Sequence, residues 1–155
     1  MEGIAHGIKI VTTNRKAHFN YEIIETYEAG IVLTGTEIKS VRDNKMVIND
    51  SYCLVRHGEV FMINSHITEY VFGNIFNHEP TRQRKLLLHK QEINRLMGKC
   101  RERGFSIIPL KSYFKGGKLK VEIALCRGKK TIDKKESIKE RDVKRQLEKD
   151  YKGKF

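Results

Sequence analysis

Asn14-Arg15-Lys16 is the first group of side chains in this 155-residue sequence that could bind a phosphate-bearing ligand. His18 and Phe19 follow closely. Two cations can contact phosphates, the Asn14 amide can read a base edge, and the Phe19 ring can stack on a base, which are the contacts that RNA recognition uses. The alternative interpretation of this segment is an N-terminal turn whose charges are solvated.

A second basic group lies in the run Thr81-Arg-Gln-Arg-Lys85, which continues into Leu86-Leu87-Leu88-His89. A helix is predicted to start directly after it. Helix N-termini attract phosphate, and arginines add bidentate contacts. The leucines are most simply core residues, and we expect at least two of the three to be buried. The side chains of this run that we predict to contact RNA are Arg82, Arg84, Lys85, Leu87 and His89.

The third basic group is the C-terminal stretch 129–155, which has about twice as many basic as acidic side chains and almost no aliphatic cluster. It cannot bury a core, but Ser137-Ile-Lys-Glu140 has the pattern of a capping box. We predict a helix that is marginal when free and forms on a partner, against the alternative of an unspecific solubilising tail. The charged residues assigned to this tail are Lys129, Lys130, Asp133, Lys134, Lys135, Lys139 and Arg141.

No catalytic or metal-binding motif is complete in the sequence. Gly128-Lys129 resembles the end of a phosphate-binding loop, but Lys130 stands where Ser or Thr is required. Cys53, Cys100 and Cys126 have no zinc-finger spacing and are interpreted as buried thiols in a reducing, cytoplasmic compartment. The sequence therefore predicts a protein that is not an enzyme and that has no metal or cofactor.

The net charge of +12 and the pI of about 9.7 imply an anionic partner. A nucleic acid is favoured over a membrane, since the sequence has no 18-residue apolar run, signal peptide or lipidation motif. The chain length fits one globular domain. We expect a monomer when free, with residues 1–128 as the RNA-binding domain and 129–155 as the tail.

Short strands dominate the elements that must position these residues. Leu119–Cys126 alternates aliphatic residues with charged or small ones, as a half-buried strand does. It forms a predicted hairpin with residues 106–115 through the turn at Gly116-Gly117. A second hairpin is predicted at residues 51–67, with its turn at His57-Gly58.

Other segments complete the predicted fold. Tyr21–Thr34 is a long strand with a bulge or bend expected at Gly30, and 36–42 is a short helix. Lys90–Arg103 is an amphipathic helix with Gly104 as its C-terminal cap, and 68–84 is a long loop. Five or six antiparallel strands with one inserted helix predict a mainly β protein with an OB-like antiparallel barrel, flanking helices and a flexible basic tail, although other small barrels fit nearly as well.

Several stretches of the sequence resemble the SmpB family of SsrA-binding proteins. The similarity covers nearly the whole chain from Asn14 to Asp142, in the same order and at similar spacing. The stretches that carry it are Glu25-Thr-Tyr-Glu-Ala-Gly-Ile-Val-Leu-Thr-Gly-Thr-Glu-Ile-Lys-Ser-Val-Arg42, Asp50-Ser-Tyr52, Phe76-Asn-His-Glu-Pro-Thr-Arg82, Arg84-Lys-Leu-Leu-Leu-His89, Gly128-Lys-Lys130 and Ile138-Lys-Glu-Arg-Asp142.

The resemblance implies an OB-like barrel that binds the tRNA-like domain of tmRNA and delivers it to stalled ribosomes for trans-translation. It places Asn14, Glu28 and Leu87 on the RNA face. It also implies that the tail, with the triplet Asp133-Lys134-Lys135, acts in the small-subunit decoding centre and the empty mRNA channel. Lys135 replaces the family's arginine, and His18-Phe19 replaces a common Arg-His pair.

Two other functions remain open on the sequence alone. One is a structural or regulatory ribosome-associated barrel protein that never meets tmRNA. The other is an RNA-processing enzyme, which would need a catalytic group that the sequence does not display. For Glu28, the alternative to an RNA contact is a salt bridge at a strand edge with Arg15 or Lys16.

Overall fold

The computed structural model describes residues 7–73, 76–102 and 104–129, and these residues are mainly β-strand. The strands are Ile8–Thr13 (β1), Tyr21–Ile31 (β2), Met46–Val47 (β3), Tyr52–Arg56 (β4), Glu59–Ile63 (β5), His66–Ile67 (β6), Arg84–Leu87 (β7), Phe105–Lys115 (β8) and Lys118–Gly128 (β9). The helices are Ala17–Asn20 (α1), Gly35–Arg42 (α2) and Lys90–Cys100 (α3). None of the helices in these described ranges has the length and apolar composition needed to span a bilayer.

Seven of the strands form an antiparallel sheet in the order β1-β8-β4-β5-β7-β2-β9, and β9 also pairs with β8. Because β9 returns to β8, the strands from β8 to β9 make a ring. The pairing of β4 with β8 is limited to Cys53 and Ile107. β3 and β6 form a separate two-stranded sheet. The predicted mainly β fold is confirmed, with more strands in the sheet than the five or six expected.

The main core fills the inside of the ring. Both predicted hairpins are present, with β8 and β9 joined at Gly116-Gly117 and β4 and β5 at His57-Gly58. Alternation along β9 sends four aliphatic side chains inward, as predicted, and helices α2 and α3 each contribute one fully buried aliphatic side chain to this core. These side chains are Leu119, Val121, Ile123, Leu125, Val41 and Leu96.

A second cluster lies on the opposite face of the same strands. Ala124 and Cys126 of β9 point away from the main core and pack with Ile108 and Leu110 of β8. Ala17 of α1 covers them and is itself buried. The sequence predicts this face of β9 to be charged or small. The small residues are buried because α1, which was not predicted, lies across them.

Several local predictions need correction. The register of β2 shifts between Ile23 and Glu25, whereas Gly30 pairs regularly with Leu87 and Lys120. Gly30 is therefore not a bulge. α3 ends at Cys100, and its C-cap is Arg101, so that Gly104, with φ of +89°, leads into β8 and does not cap the helix.

The cysteine prediction is right for two of the three thiols. Cys53 and Cys126 are buried, but Cys100 at the end of α3 is exposed. Burial raises the pKa of the Cys126 thiol to about 12 and raises the pKa of Cys53 further. Because the thiolate is the reactive form, Cys53 and Cys126 are expected to be inert.

Candidate nucleic-acid interface

The outward-facing side of β8, β9 and β2, here called the outer face, contains two of the regions singled out by the sequence. Thr13, Lys111, Glu122 and Glu28 are successive cross-strand partners from β1 to β2. Neighbouring strands lie about 4.8 Å apart, so this row spans roughly 15 Å. It places the segment that starts at Asn14 and the Glu28 region on one continuous surface.

Glu28 lies on the outer face with its carboxylate held by β8. Tyr113 donates a hydrogen bond to Glu28 Oε2, and Lys115 Nζ is 3.3 Å from the same oxygen. The hydrogen bond from Tyr113 lowers the pKa of Glu28; partial burial opposes this shift, and Lys115 adds to it. The salt bridge proposed as the alternative role of Glu28 therefore exists, but with Lys115 in place of Arg15 or Lys16.

Leu87 forms an exposed apolar site beside Glu28. Its side chain is 51% exposed, whereas Leu86 is buried and Leu88 packs against the main core. The expectation that at least two of the three leucines are core residues is confirmed. Leu87 pairs with Gly30, where a methyl group would lie 3.4 Å from Leu87 Cβ. Such a methyl group would be in ordinary van der Waals contact with Leu87. The pairing places Leu87 beside Gly30, two residues along β2 from Glu28.

Arg84 does not face solvent, and the prediction that it contacts RNA is wrong. Its side chain is 0% exposed and donates to Glu37 Oε2 over 2.7 Å and to Ser65 over 3.0 Å. A charged group is buried only when it is paired and hydrogen-bonded, and Glu37 supplies that pairing from α2. Arg84 is therefore a structural residue that fixes β7 to α2.

Arg82 belongs in part to the same network. It donates to both carboxylate oxygens of Glu37, over 2.6 and 3.1 Å, while its own side chain stays partly exposed. Burial would raise the pKa of Glu37, but the hydrogen bonds from Arg82 and the Thr34 amide and the charge of Arg84 lower it to about 2. Arg82 can reach a phosphate only with the part of its guanidinium that remains exposed.

The start of α3 differs from the anion site expected there. The His89 amide, at the N-cap, donates to Glu92 Oε1 over 3.0 Å, so a carboxylate of the chain itself occupies this end of the helix. His89 is exposed. Lys85 lies in β7 and forms an ion pair with Glu59 of β5. The structure does not bring Lys85 and His89 together with Arg84 into one phosphate site.

The N-terminal basic segment is divided between a buried amide and two exposed cations. Asn14 is only 3% exposed. Its backbone N–H donates to the Leu110 carbonyl over 2.7 Å, and its side-chain Nδ2 donates to the Pro109 carbonyl over 3.1 Å. Arg15 and Lys16 are exposed, and α1 begins directly after them. Asn14 thus fixes the segment to β8 and leaves the two cations at the surface.

The tail lies almost wholly beyond the described residues. The Lys129 amide donates to Asn20 O over 3.0 Å, so the chain leaves β9 beside the end of α1. The other tail residues singled out by the sequence lie outside the described residues: Lys130, Asp133, Lys134, Lys135, Lys139 and Arg141.

Sequence reasoning missed three partners on the outer face. Tyr113 and Lys115 hold Glu28, and Lys120 adds a positive charge near it. The predicted hairpin places Tyr113 in a strand but does not indicate that β2 lies within reach of it. The pairing of β2 with β9, and of β9 with β8, supplies that information.

Comparisons with known proteins agree with this architecture. The family model described as SmpB protein matches residues 11–153. An SsrA-binding protein of Persephonella marina is 55% identical over 96% of this chain and 98% of its own, and one of Trichormus variabilis is 50% identical over 99% of both.

A solved structure is also similar. A chain of "tmRNA-SmpB: a journey to the center of the bacterial ribosome" matches with a TM-score of 0.66 and 46% identity, over 82% of this chain and 93% of that one. The family model covers most of the chain, and each of the two sequence relatives is at least 50% identical to it over almost its full length. The protein therefore belongs to the SmpB family of SsrA-binding proteins.

Proposed function

We propose that this protein binds the tRNA-like domain of tmRNA through its outer face and takes part in trans-translation at the ribosome. The observation that carries the proposal is the pair Glu28 and Leu87, a held carboxylate beside an exposed leucine on a lysine-rich strand surface. The relatives are named SsrA-binding proteins, and the matching solved structure is of tmRNA-SmpB and the bacterial ribosome.

Affinity and specificity have different sources on this surface. The exposed cations Arg15, Lys16 and Lys115 can neutralise phosphates and release counterions, which adds affinity for any RNA. Phosphates repel Glu28, so a carboxylate at this place favours a base or ribose donor. Leu87 can make an apolar contact with an exposed base, whereas the sugar-phosphate backbone of a regular RNA duplex presents no apolar surface to it. RNA with exposed bases and a bent shape meets these conditions better than a duplex does.

The tail has a separate proposed role. Residues 129–155 act in the small-subunit decoding centre and the mRNA channel, as the resemblance to the family implies. Their composition supports an interaction with ribosomal RNA, because basic side chains predominate. The chain leaves β9 at Lys129, next to Asn20, so the tail begins at the edge of the outer face.

Replacing Leu87 with Ala tests the RNA-binding face. The variant should bind the tRNA-like domain about tenfold more weakly, since losing a buried apolar contact of this size costs over 1 kcal/mol, with an unchanged slope of log affinity against log salt. Leu54→Ala is the matched control, because Leu54 is also a strand leucine and is 40% exposed. Equal effects of the two substitutions would contradict the proposed face.

Truncation after Gly128 tests the separation of the two roles. The shortened chain should bind the tRNA-like domain nearly as well as the full chain, whereas tagging of peptides on stalled ribosomes should be lost. Loss of both activities to the same degree would contradict two separate parts. Sequencing the RNA that copurifies with the full chain adds a direct check, since bulk ribosomal RNA without tmRNA would instead support a structural or regulatory ribosome-associated protein.

A further inference from the structure

A groove lies between β4 and the first part of β8, beside the end of α3. Its volume is about 570 Å³. The two strands pair only at Cys53 and Ile107, although both continue beyond that pair, and the groove occupies the space between them. We name it the α3 groove. The lining residues used below are Tyr21, Tyr52, Met97, Cys100, Arg101 and Phe105.

The α3 groove presents an apolar surface and one cation. Tyr52 is 42% exposed, and Phe105 is half-buried. Arg101 is exposed and forms no salt bridge with any carboxylate in the part of the chain that the structure describes, since the neighbouring Glu102 pairs with Lys99. Exposed apolar patches commonly mark a surface on which another segment packs. The groove therefore fits an occupant with an apolar stripe bordered by acids.

The tail sequence contains such a stripe. In the helix predicted for it, Val143, Leu147 and Tyr151 lie four residues apart and share one side. Glu140 lies three residues before Val143 and Asp150 three after Leu147, so both acids border the stripe. All of these residues lie beyond the described part of the chain. Basic residues occupy the opposite side of the same predicted helix: Arg141, Arg145, Lys149 and Lys152.

The tail begins beside the α3 groove. Tyr21, which lines the groove, pairs with Gly128 at the end of β9, and Phe105 pairs with Arg127. Residues 130–137, which connect β9 to the predicted helix, can span roughly 26 Å when extended. A segment tethered this closely has a high effective concentration at the groove, which favours it over a second copy of the chain.

We propose that, in the free protein, the predicted tail helix docks in the α3 groove, with its apolar stripe against Tyr52 and Phe105 and its bordering acids beside Arg101. The inference goes beyond the proposed function, because it concerns the chain before any RNA or ribosome is bound. The docked helix keeps its basic side exposed. The folded domain is then the first partner on which this marginal helix forms, and a ribosome must displace it to engage the stripe.

The test uses Cys100, an exposed thiol in the lining that a docked helix would cover. Alkylation of Cys100 by iodoacetamide in the full chain, without RNA, is followed by mass spectrometry. A helix that is docked roughly nine times in ten leaves the thiol accessible for about a tenth of the time. Leu147→Ala should weaken docking about tenfold, which raises the accessible share to about half and speeds alkylation about fivefold. Gln146→Ala is the matched control and should leave the rate unchanged, because Gln146 lies about 100° around the helix from Leu147.

A groove variant tests the other side of the contact. Tyr52→Ala should also speed alkylation, and the double variant with Leu147→Ala should be slower than the product of the two single effects, as for residues in contact. Equal rates for the native chain and Leu147→Ala would overturn the docking. Gln146→Ala as fast as Leu147→Ala, or fully multiplicative effects in the double variant, would overturn it too.

The experiment is independent of the proposed function, because no RNA is present. An unprotected Cys100 in a chain that still binds tmRNA would overturn the docked tail alone. A protected Cys100 in a chain that does not bind tmRNA would support the docked tail and overturn the proposed function.

Discussion

Replacing Glu37 with Ala should destabilise this protein more than any loss of an exposed ion pair. The Glu37 carboxylate is fully buried and accepts four hydrogen bonds, two from Arg82, one from Arg84 and one from the Thr34 amide. Its removal leaves the guanidinium of Arg84 buried without a counter-charge. Breaking a buried pair in this way costs about 3 to 5 kcal/mol.

Urea unfolding followed by circular dichroism measures the effect of Glu37→Ala. The matched control is Glu59→Ala, because Glu59 pairs with Lys85 on the surface, where both side chains are more than 40% exposed. An exposed pair contributes about 0 to 1 kcal/mol, so the control should change the free energy of unfolding little. Equal losses for the two variants would refute the structural role assigned to Arg84 and would reopen Arg84 as an RNA contact.

The same carboxylate predicts how stability depends on pH. Its pKa is about 2 in the folded protein and near 4.5 in the unfolded chain. A lowered folded pKa means that the contribution is complete above pH 4.5 and is lost as the pH falls towards 2. Native protein should therefore lose more stability than Glu37→Gln over this range. Parallel pH profiles for the two proteins would show that Glu37 is not the group responsible.

Three further predictions concern the outer face and the thiols. Tyr113→Phe should raise the pKa of Glu28 towards its usual range, because the hydrogen-bond donor that lowers it most is removed. NMR titration of the Glu28 carboxyl would detect this shift, and an unchanged pKa would contradict the contact. Lys115→Ala should reduce the log-log salt slope of RNA binding by about 0.7 to 0.9, because Lys115 neutralises a phosphate, whereas Lys99→Ala on α3 should leave the slope unchanged; an unchanged slope for Lys115→Ala would contradict the phosphate contact. Iodoacetamide should modify Cys100 before Cys53 and Cys126 in the native protein, as mass spectrometry of digested samples can show; faster labelling of Cys53 would contradict its burial.

The strands and hairpins were predictable because their signals are local. The alternation of residues 119–126 gives both the strand and the face that enters the main core, and Gly116-Gly117 marks the turn. The alternation could not show that Ala124 and Cys126 are also covered, because α1 comes from a distant part of the chain. α1 has only four residues, too few for a periodic pattern.

The sequence indicates which kinds of side chain could contact RNA, but it indicates less well which of them face the surface. Arg84 has the side chain of a phosphate contact, but Glu37, 47 residues earlier, draws it into the interior. A strand period through Arg84, Leu86 and Leu88 would have shown that these three share the inward side and that Leu87 faces out. The period is hard to read from the sequence because β7 has only four residues and α3 begins soon after it, at Lys90.

The most direct test of the account is a competition experiment with the full chain, a labelled tRNA-like domain of tmRNA and an unlabelled RNA duplex of equal length. Specific sites usually exceed unspecific ones by about a thousandfold or more in affinity. At physiological salt, we predict that roughly a hundredfold excess of duplex leaves the labelled RNA bound, whereas an equal amount of unlabelled tRNA-like domain displaces half of it. Displacement by the duplex at equal concentration would contradict the claim that the outer face recognises the shape and bases of a tRNA-like RNA.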